Sequence, residues 1–264
     1  MTPESFAVVF LSSVVGAVVL SILVSFWRSP FTPFQTCLLY FSIFLNRFLW
    51  RVSVPGPLPI DDKQGAVLIS NHRSSVDPFF FQWLSRRPIH WMVMREAYDQ
   101  LAFGWFLKGC LTIPAGRGGV DTAATKMAIR LASEGGLVGM LPEGRINMTD
   151  DFMMKVRPGA ILIALKANVN VLPCYVEGAP YGGQPWSPFF IPARVKVKFG
   201  RLIDLSDFFG RERKDGVLEY LTRFCVREIA NTAGVDFEPQ LAGRRWKPER
   251  EELETMVAAL GKRK

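Results

Sequence analysis

The chain is poor in the residues that build metal sites and disulfide frameworks. Its 264 residues include two histidines, His72 and His90, and four cysteines without a Cys-x-x-Cys pair. This scatter predicts neither a zinc site nor disulfides, and we expect no catalytic metal and no cofactor. The sequence also lacks a Gly-x-Ser-x-Gly nucleophile elbow and any recognised nucleic-acid module. A serine hydrolase of that type and a nucleic-acid binder are therefore disfavoured.

Charge is missing from a long segment near the N-terminus. Residues 6–27 contain no charged side chain. At about 1.5 Å of rise per residue a helix over this run is about 33 Å long, enough for a bilayer core of roughly 30 Å. The five residues before it contain no lysine or arginine, and no small-x-small cleavage site follows. The run therefore predicts a transmembrane helix rather than a cleaved signal peptide.

A second apolar stretch, residues 31–50, is interrupted by polar residues and ends in aromatics. This pattern predicts an interfacial helix, with a re-entrant helix pair as the alternative. Arg28, Arg47 and Arg51 follow the first apolar run. The positive-inside bias then places the rest of the chain on the cytoplasmic face, at the cell membrane if the protein is bacterial.

From about Gly56 the pattern alternates between short apolar runs and helical spacing, which predicts an α/β layered domain with a mixed, largely parallel central sheet. We expect a membrane anchor over residues 1–55, the α/β domain over 56–235 and a charged tail over 236–264. The predicted strands are 66–70, 89–94, 111–114, 137–141, 171–176 and 195–199. The predicted helices are 122–133, 159–168 and 217–231, the first of them capped by Asp121.

A histidine and a carboxylate follow the first predicted strand. In the run Asn71-His72-Arg73-Ser74-Ser75-Val76-Asp77, five positions separate His72 from Asp77. A turn into a helix can bring the carboxylate back to one imidazole nitrogen, and the other nitrogen can then act as a general base on a hydroxyl. The alternative is structural, because Asp77 before Pro78 is also a plausible helix cap.

The Asn-His-x4-Asp motif resembles that of the glycerolipid acyltransferases, the family that includes lysophosphatidic acid and glycerol-3-phosphate acyltransferases. The likeness covers residues 65–204. The family's second block resembles Leu111–Arg117, its third resembles Leu141–Arg145, which contains Pro-Glu-Gly-Arg, and its fourth resembles Val171–Tyr175 around Pro173. The resemblance implies that His72 and Asp77 are catalytic. It also implies that Arg117, Glu143, Gly144 and Arg145 bind the acceptor, with the two arginines on its phosphate.

The resemblance implies an O-acyltransferase of phospholipid biosynthesis. The donor would be acyl-CoA or acyl-carrier protein, and the acceptor a lysophospholipid, foremost 1-acyl-sn-glycerol-3-phosphate. Arg145 replaces a family threonine, a form typical of the branch that acylates lysophosphatidylethanolamine. A net charge of +8 suits anionic lipid partners. An inactive lipid-binding protein is the alternative of another class. Lys108, Lys155 and Arg157 are further candidates for the phosphate. His90 is expected to be structural. The aromatic strip 79–83 is expected to belong to the core, with a lining of the acyl chain's path as the alternative.

Overall fold

The computed structural model describes residues 2–116, 121–213 and 216–242. Its α-helices are α1 (Pro3–Arg28), α2 (Pro33–Phe44), α3 (Asp77–Gln82), α4 (Arg95–Tyr98), α5 (Leu101–Gly109), α6 (Thr122–Ser133), α7 (Gly159–Ala167) and α8 (Val217–Ala233). A π-helical turn, Leu45–Leu49, follows α2, and 3₁₀ turns lie at Ser187–Phe190 and Ser206–Phe208.

Six strands form one sheet: β1 (Ala66–Ser70), β2 (Ile89–Met94), β3 (Ile113–Ala115), β4 (Leu137–Met140), β5 (Asn170–Glu177) and β6 (Lys196–Phe199). The order across the sheet is β3-β2-β4-β1-β5-β6, and only the β5–β6 pair is antiparallel. The predicted α/β class and the largely parallel sheet are confirmed. Because β1 to β5 run in one direction, the loops after β1, β3, β4 and β5 leave from the same edge.

Layers of apolar side chains cover both faces of the sheet. Alternate residues of β1 point to opposite faces, so Val67 packs with α6, α7 and α8, whereas Leu68 packs with α3 and Trp50. All five residues of β1 are buried, as expected for a central parallel strand. The loop that leaves β1 therefore starts from a fully buried central strand.

The N-terminal segment forms two helices joined at residues 29–32. Among the described residues, α1 is the one helix long and apolar enough to cross a membrane, and none of its apolar stretch is buried. The residues that interrupt the second apolar run begin α2: Thr32 and Gln35 form a capping box, and Pro33 occupies the first turn. α2 then ends at Phe44 in the π-helical turn, so the single helix predicted over 31–50 is two pieces.

The predicted third strand is wrong at its start. Leu111 has a φ of +55°, which no strand residue adopts, and its amide donates a hydrogen bond to the carbonyl of Lys108 at the end of α5. The strand therefore begins two residues later, at Ile113. Helices α4 and α5 were not predicted, whereas α6 begins and ends as expected, with the Asp121 carboxylate capping Ala124.

Candidate active site

His72 and Asp77 meet at the carboxyl edge of the sheet, in the loop between β1 and α3. The distance from His72 Nδ1 to Asp77 Oδ2 is 2.8 Å. Asp77 is fully buried, while 16% of the His72 side chain is exposed. Because the carboxylate can only accept, Nδ1 carries the proton and Nε2 is left as the basic nitrogen. The predicted pairing is thus present, in the tautomer that a general base requires.

The same carboxylate oxygen organises the loop backbone. Asp77 Oδ2 accepts hydrogen bonds from the amides of Arg73 (2.8 Å) and Ser74 (3.0 Å). Asp77 does not cap α3, whose N-cap is Val76 without a side-chain hydrogen bond. The cap interpretation of Asp77 is therefore wrong: its carboxylate faces back towards the histidine because three donors converge on one oxygen.

Asn71, directly before the histidine, joins the loop to the neighbouring strand. Its side-chain amide donates to the carbonyl of Val176 on β5 and accepts from the amide of the same residue, both at 2.8 Å. Asn71 is buried, and the paired bonds continue the β1–β5 ladder by one step. The loop therefore leaves the sheet at a fixed point. Sequence reasoning assigned Asn71 no role beyond its place in the motif.

Glu143 supports the histidine from the loop after β4. Its Oε1 accepts from the amide of His72 and its Oε2 from the amide of Met154, both at 2.8 Å. The side chain is 5% exposed. Burial raises the pKa of the Glu143 carboxyl, and the two amide hydrogen bonds act in the opposite direction. The observed contacts are those of a positioning residue, and contact of Glu143 with an acceptor hydroxyl stays a prediction.

Arg73 ties the same two loops together through its side chain. The guanidinium donates to the carbonyls of Thr149 (2.7 Å) and Asp151 (2.6 Å), with longer bonds to those of Asn147 and Phe152. The amide of Asn147 in turn donates to the carbonyl of His72 at 2.7 Å. The backbone of His72 is thus held on both sides by the segment 143–147. Sequence reasoning missed Arg73, whose partners are all backbone carbonyls with no sequence signature.

Exposed basic side chains surround the loop after β4. Gly144 has a φ of +69° in an exposed turn, a conformation that favours glycine. Arg145 follows in that turn, is exposed, and has no ion pair within the described residues. Lys155 and Arg157 are also exposed, and the amide of Arg157 donates to the carbonyl of Pro142. These cations are free to meet an anionic substrate beside Glu143.

Arg117 lies outside the described residues, which stop at Gly116 and resume at Asp121. The Asp121 carboxylate accepts from the amide of Gly116 and from the guanidinium of Arg95, both at 2.9 Å, and also caps α6. These hydrogen bonds hold the pKa of the Asp121 carboxyl well below its usual value. Strand β3 ends at the same edge of the sheet as β1, about 14 Å away across three strand spacings.

An apolar cavity of about 150 Å³ lies between α2, α3, α5 and β2. Ser75 and Pro78 from the catalytic loop line it, together with Phe79 and Phe106. Phe80 and Phe81 are fully buried in the core, as the structural interpretation of the aromatic strip expected. His90 is also structural, because its Nδ1 donates to the carbonyl of Leu111. A fatty acyl chain is the substrate group that suits an apolar cavity lined in part by the loop that carries His72.

The segment that carries this site matches the model of a known family. Residues 51–177 match the model of the Acyltransferase family, and the matched segment contains His72, Asp77 and Glu143. In the fold it runs from the residue after Trp50 to the end of β5, and so includes the central strands and the loops that form the site.

The most similar proteins found include 1-acyl-sn-glycerol-3-phosphate acyltransferases. The chain is 28% identical over 144 residues to that of Streptococcus pneumoniae, which covers 53% of this chain and 51% of the relative. It is 26% identical over 146 residues to that of Bacillus subtilis, covering 54% and 69%. The chain thus spans about half the length of the pneumococcal protein.

The fold also matches a solved structure. The lysophosphatidic acid acyltransferase PlsC of Thermotoga maritima aligns with a TM-score of 0.56, covering 74% of this chain and 78% of that one, at 20% identity. At this identity the match supports the fold, including the largely parallel sheet.

Proposed function

We propose that the protein transfers a fatty acyl group from a thioester donor to the free hydroxyl of 1-acyl-sn-glycerol-3-phosphate. The observation that carries this proposal is the His72–Asp77 pair, which leaves one basic imidazole nitrogen in a loop whose Ser75 and Pro78 line an apolar cavity. The names of the pneumococcal and Bacillus relatives support the choice of acceptor. An inactive lipid-binding shell has no need of a buried carboxylate that fixes a histidine tautomer.

The reaction follows from the protonation of the His72 ring, in which Nδ1 carries a proton and Nε2 can accept one. His72 Nε2 removes the proton of the acceptor hydroxyl as its oxygen attacks the thioester carbonyl, and the imidazolium that forms is stabilised by Asp77. A carbon–oxygen bond forms, and the tetrahedral intermediate then collapses with cleavage of the carbon–sulfur bond. The thiolate leaves and takes the proton back from His72. The acyl group passes directly between substrates, without an acyl-enzyme.

We assign the binding of the acceptor phosphate to the exposed cations at the carboxyl edge of the sheet. Arg145 lies in the turn directly after Glu143, one strand spacing from the histidine loop, and Lys155 and Arg157 flank the same turn. Arg117, which follows Gly116 in the sequence, is the second arginine of the proposed phosphate site. A guanidinium can hold two phosphate oxygens at once, so a pair of arginines would orient the acceptor.

The turn sequence Pro-Glu-Gly-Arg supports a second acceptor, lysophosphatidylethanolamine. Mass spectrometry of products from the purified protein, given acyl-CoA and an equimolar set of lysophospholipids, separates the two. We expect phosphatidic acid as the main product. Phosphatidylethanolamine as the main product would change the assigned acceptor to lysophosphatidylethanolamine and leave acyl transfer as the reaction. Free fatty acid without a new ester would show that the protein hydrolyses the donor.

The donor defines the side of the membrane on which the site works. Acyl-CoA and acyl-carrier protein are cytosolic, so we place His72 on the cytoplasmic face, with α1 as the anchor. Met148 is 72% exposed in the loop beside His72 and suits a cysteine label after the exposed Cys37 is replaced by serine. In sealed vesicles of known orientation, a membrane-impermeant reagent should label Met148→Cys from the cytoplasmic face. Labelling only from the opposite face would refute this topology.

A further inference from the structure

Large apolar side chains are exposed on elements of the α/β domain as well as on the N-terminal helices. On and just after α2, Phe41, Phe44 and Phe48 are 49%, 55% and 65% exposed. In the domain, Leu101 on α5 is 99% exposed and Phe190 is 79% exposed. Exposed apolar groups gathered on one side of a protein mark an interaction surface.

Helix α5 lies against the start of α2. The rings of Phe34 and Trp105 are 5.7 Å apart, and the side chain of Gln35 donates to the carbonyl of Gly109 at 2.9 Å. Leu101 and Trp105 are one turn apart, so they share one stripe of α5, and Trp105 is 59% exposed. This stripe therefore borders the outer surface of α2.

The 3₁₀ turn Ser187–Phe190 lies against the other end of the N-terminal segment. The indole of Trp50 donates to the carbonyl of Pro188 at 3.0 Å, and the ring of Phe189 packs 6.0 Å from that of Trp50. Phe189 therefore points inward, while its neighbour Phe190 and the nearby Trp186 remain exposed. The turn borders the π-helical end of the segment as α5 borders its beginning.

Phe79, two residues after the catalytic aspartate, connects these elements. Its ring packs 6.1 Å from Phe106 of α5 and 5.8 Å from Phe189 of the turn. Its carbonyl accepts from the side chain of Asn46, which is buried after α2. The elements that carry the exposed apolar groups are thus fixed to the helix that begins at Asp77.

We propose that α2, α5 and the turn 187–190 form one lipid-contacting face, which seats the domain on the membrane leaflet around the site. This inference rests on the proposed anchoring by α1. The four residues between α1 and α2 can span at most about 14 Å, so α2 must lie near the point where α1 enters the bilayer.

A bilayer suits this face better than a second copy of the chain or a peptide. The face is continuous with the apolar N-terminal segment, and the rings of Phe26 on α1 and Tyr40 on α2 are 6.3 Å apart. Arg47 and Arg51 are exposed beside it and supply cations for anionic headgroups. Aromatic side chains next to cations are typical of the membrane interface. Contact at three elements fixes the rotation of the domain, which a single helical anchor leaves free.

Depth-dependent fluorescence quenching tests the face in the full-length protein. An environment-sensitive fluorophore is attached to single cysteines at Leu101→Cys and Phe190→Cys, with the native Cys37 and Cys110 replaced by serine. Val14→Cys in α1 is the positive control. Lys126→Cys is the negative control, since Lys126 is exposed on α6, which packs on the other face of the sheet. The vesicles contain phosphatidylcholine, phosphatidylglycerol and lipids with a quencher at a shallow or a deep position.

We expect the labels at positions 101 and 190 to be quenched by the shallow quencher, the label at 14 by the deep one, and the label at 126 by neither. If the label at 101 or 190 is not quenched while the label at 14 is, the lipid-contacting face is refuted and the anchoring by α1 is retained. An unquenched label at 14 would overturn the anchor and the inference together. Shielding at 101 that depends on protein concentration and not on lipid would assign the face to a second copy.

A kinetic comparison tests the consequence for the reaction. Leu101→Ser with Phe190→Ser should lower transfer to a long-chain acceptor in vesicles by about tenfold, and transfer to a monomeric short-chain acceptor by less than about twofold. The matched control is Met127→Ser, since Met127 is 40% exposed on α6, and it should change neither rate. Equal losses of rate with the two acceptors would show that these residues act in folding or in the chemical step and not in membrane contact. That result would overturn the proposal.

Discussion

Replacing Asp77 by asparagine isolates the charge of the proposed catalytic pair from its geometry. Three donors converge on Asp77 Oδ2: the His72 ring and the amides of Arg73 and Ser74. All three require an oxygen, so the asparagine side chain should place its oxygen there and keep the His72 tautomer. In Ser-His-Asp triads the asparagine variant adopts the wrong tautomer and loses about 10⁴-fold in kcat. We expect a smaller loss here.

The expected loss of activity in Asp77→Asn is estimated from the lost charge alone. A hydrogen bond to a charged group contributes about 1 to 2 kcal/mol more than one between neutral groups. An ion pair at 4 Å contributes at most about 4 kcal/mol at an effective dielectric constant near 20. At 1.4 kcal/mol for each factor of ten, these limits predict a loss of about 5-fold to about 10³-fold for Asp77→Asn. Asp77→Ala also leaves two backbone amides without an acceptor, which costs about 2 to 6 kcal/mol of folding free energy.

The assay is initial-rate formation of phosphatidic acid from acyl-CoA, with thermal unfolding measured on the same samples. Asp77→Asn should fall between wild type and His72→Ala in activity and unfold close to the wild-type temperature. Wild-type activity in Asp77→Asn would refute the role of the carboxylate. A loss as large as that of His72→Ala, in a folded protein, would refute the argument that the backbone amides hold the tautomer.

Three further predictions concern the surrounding residues. Glu143→Ala should lower stability and kcat together, because it leaves the amides of His72 and Met154 unpaired, whereas a rise only in the acceptor KM would favour contact with the acceptor hydroxyl. Arg117→Ala and Arg145→Ala should raise the acceptor KM and leave that of the donor unchanged, and kinetics with the two substrates varied separately check this. The lowered pKa of Asp121 stabilises the fold above its unfolded value near 4, and this stability is lost as the pH falls through the folded pKa. Acid unfolding monitored by circular dichroism should therefore show a smaller loss of stability with falling pH in Asp121→Asn than in wild type, and equal pH dependence of the two would contradict it.

The pairing of His72 with Asp77 could be predicted because it depends on local chain geometry. A buried strand ends at Ser70, a helix begins at Asp77, and the five-position separation spans one turn. The strand pattern was equally readable, since continuous apolar runs such as that of β1 mark strands buried on both faces. These features lie within a few residues of one another, where the sequence constrains the backbone directly.

The supports of the histidine could not be predicted in the same way. Asn71 and Arg73 bond to backbone groups 74 to 105 positions away, from Asn147 to Val176. Backbone amides and carbonyls are present at every position, so no residue type marks them as partners. Glu143 shows the consequence: the motif implied contact with the acceptor, whereas the folded chain places both carboxylate oxygens on backbone amides.

Helix α5 was missed for a related reason. Its nine residues include two glycines and an exposed apolar stripe, so neither helix propensity nor a buried-face period marked it. If that stripe contacts lipid, as we propose, its pattern reflects the membrane rather than the protein core. The strand prediction likewise began too early, at Leu111, because its positive φ directly after this helix has no sequence signature.

The two histidines of the chain allow the most direct test of the central claim, because one is the proposed base and the other serves as its internal control. His72→Ala should reduce formation of phosphatidic acid by about 10² to 10⁴-fold, the usual contribution of a general base, while the protein stays folded and bound to membranes. His90→Gln removes the histidine that bonds to the Leu111 carbonyl and should stay within about threefold of wild type. Activity of folded His72→Ala within about tenfold of wild type would contradict the assignment of His72 as the general base.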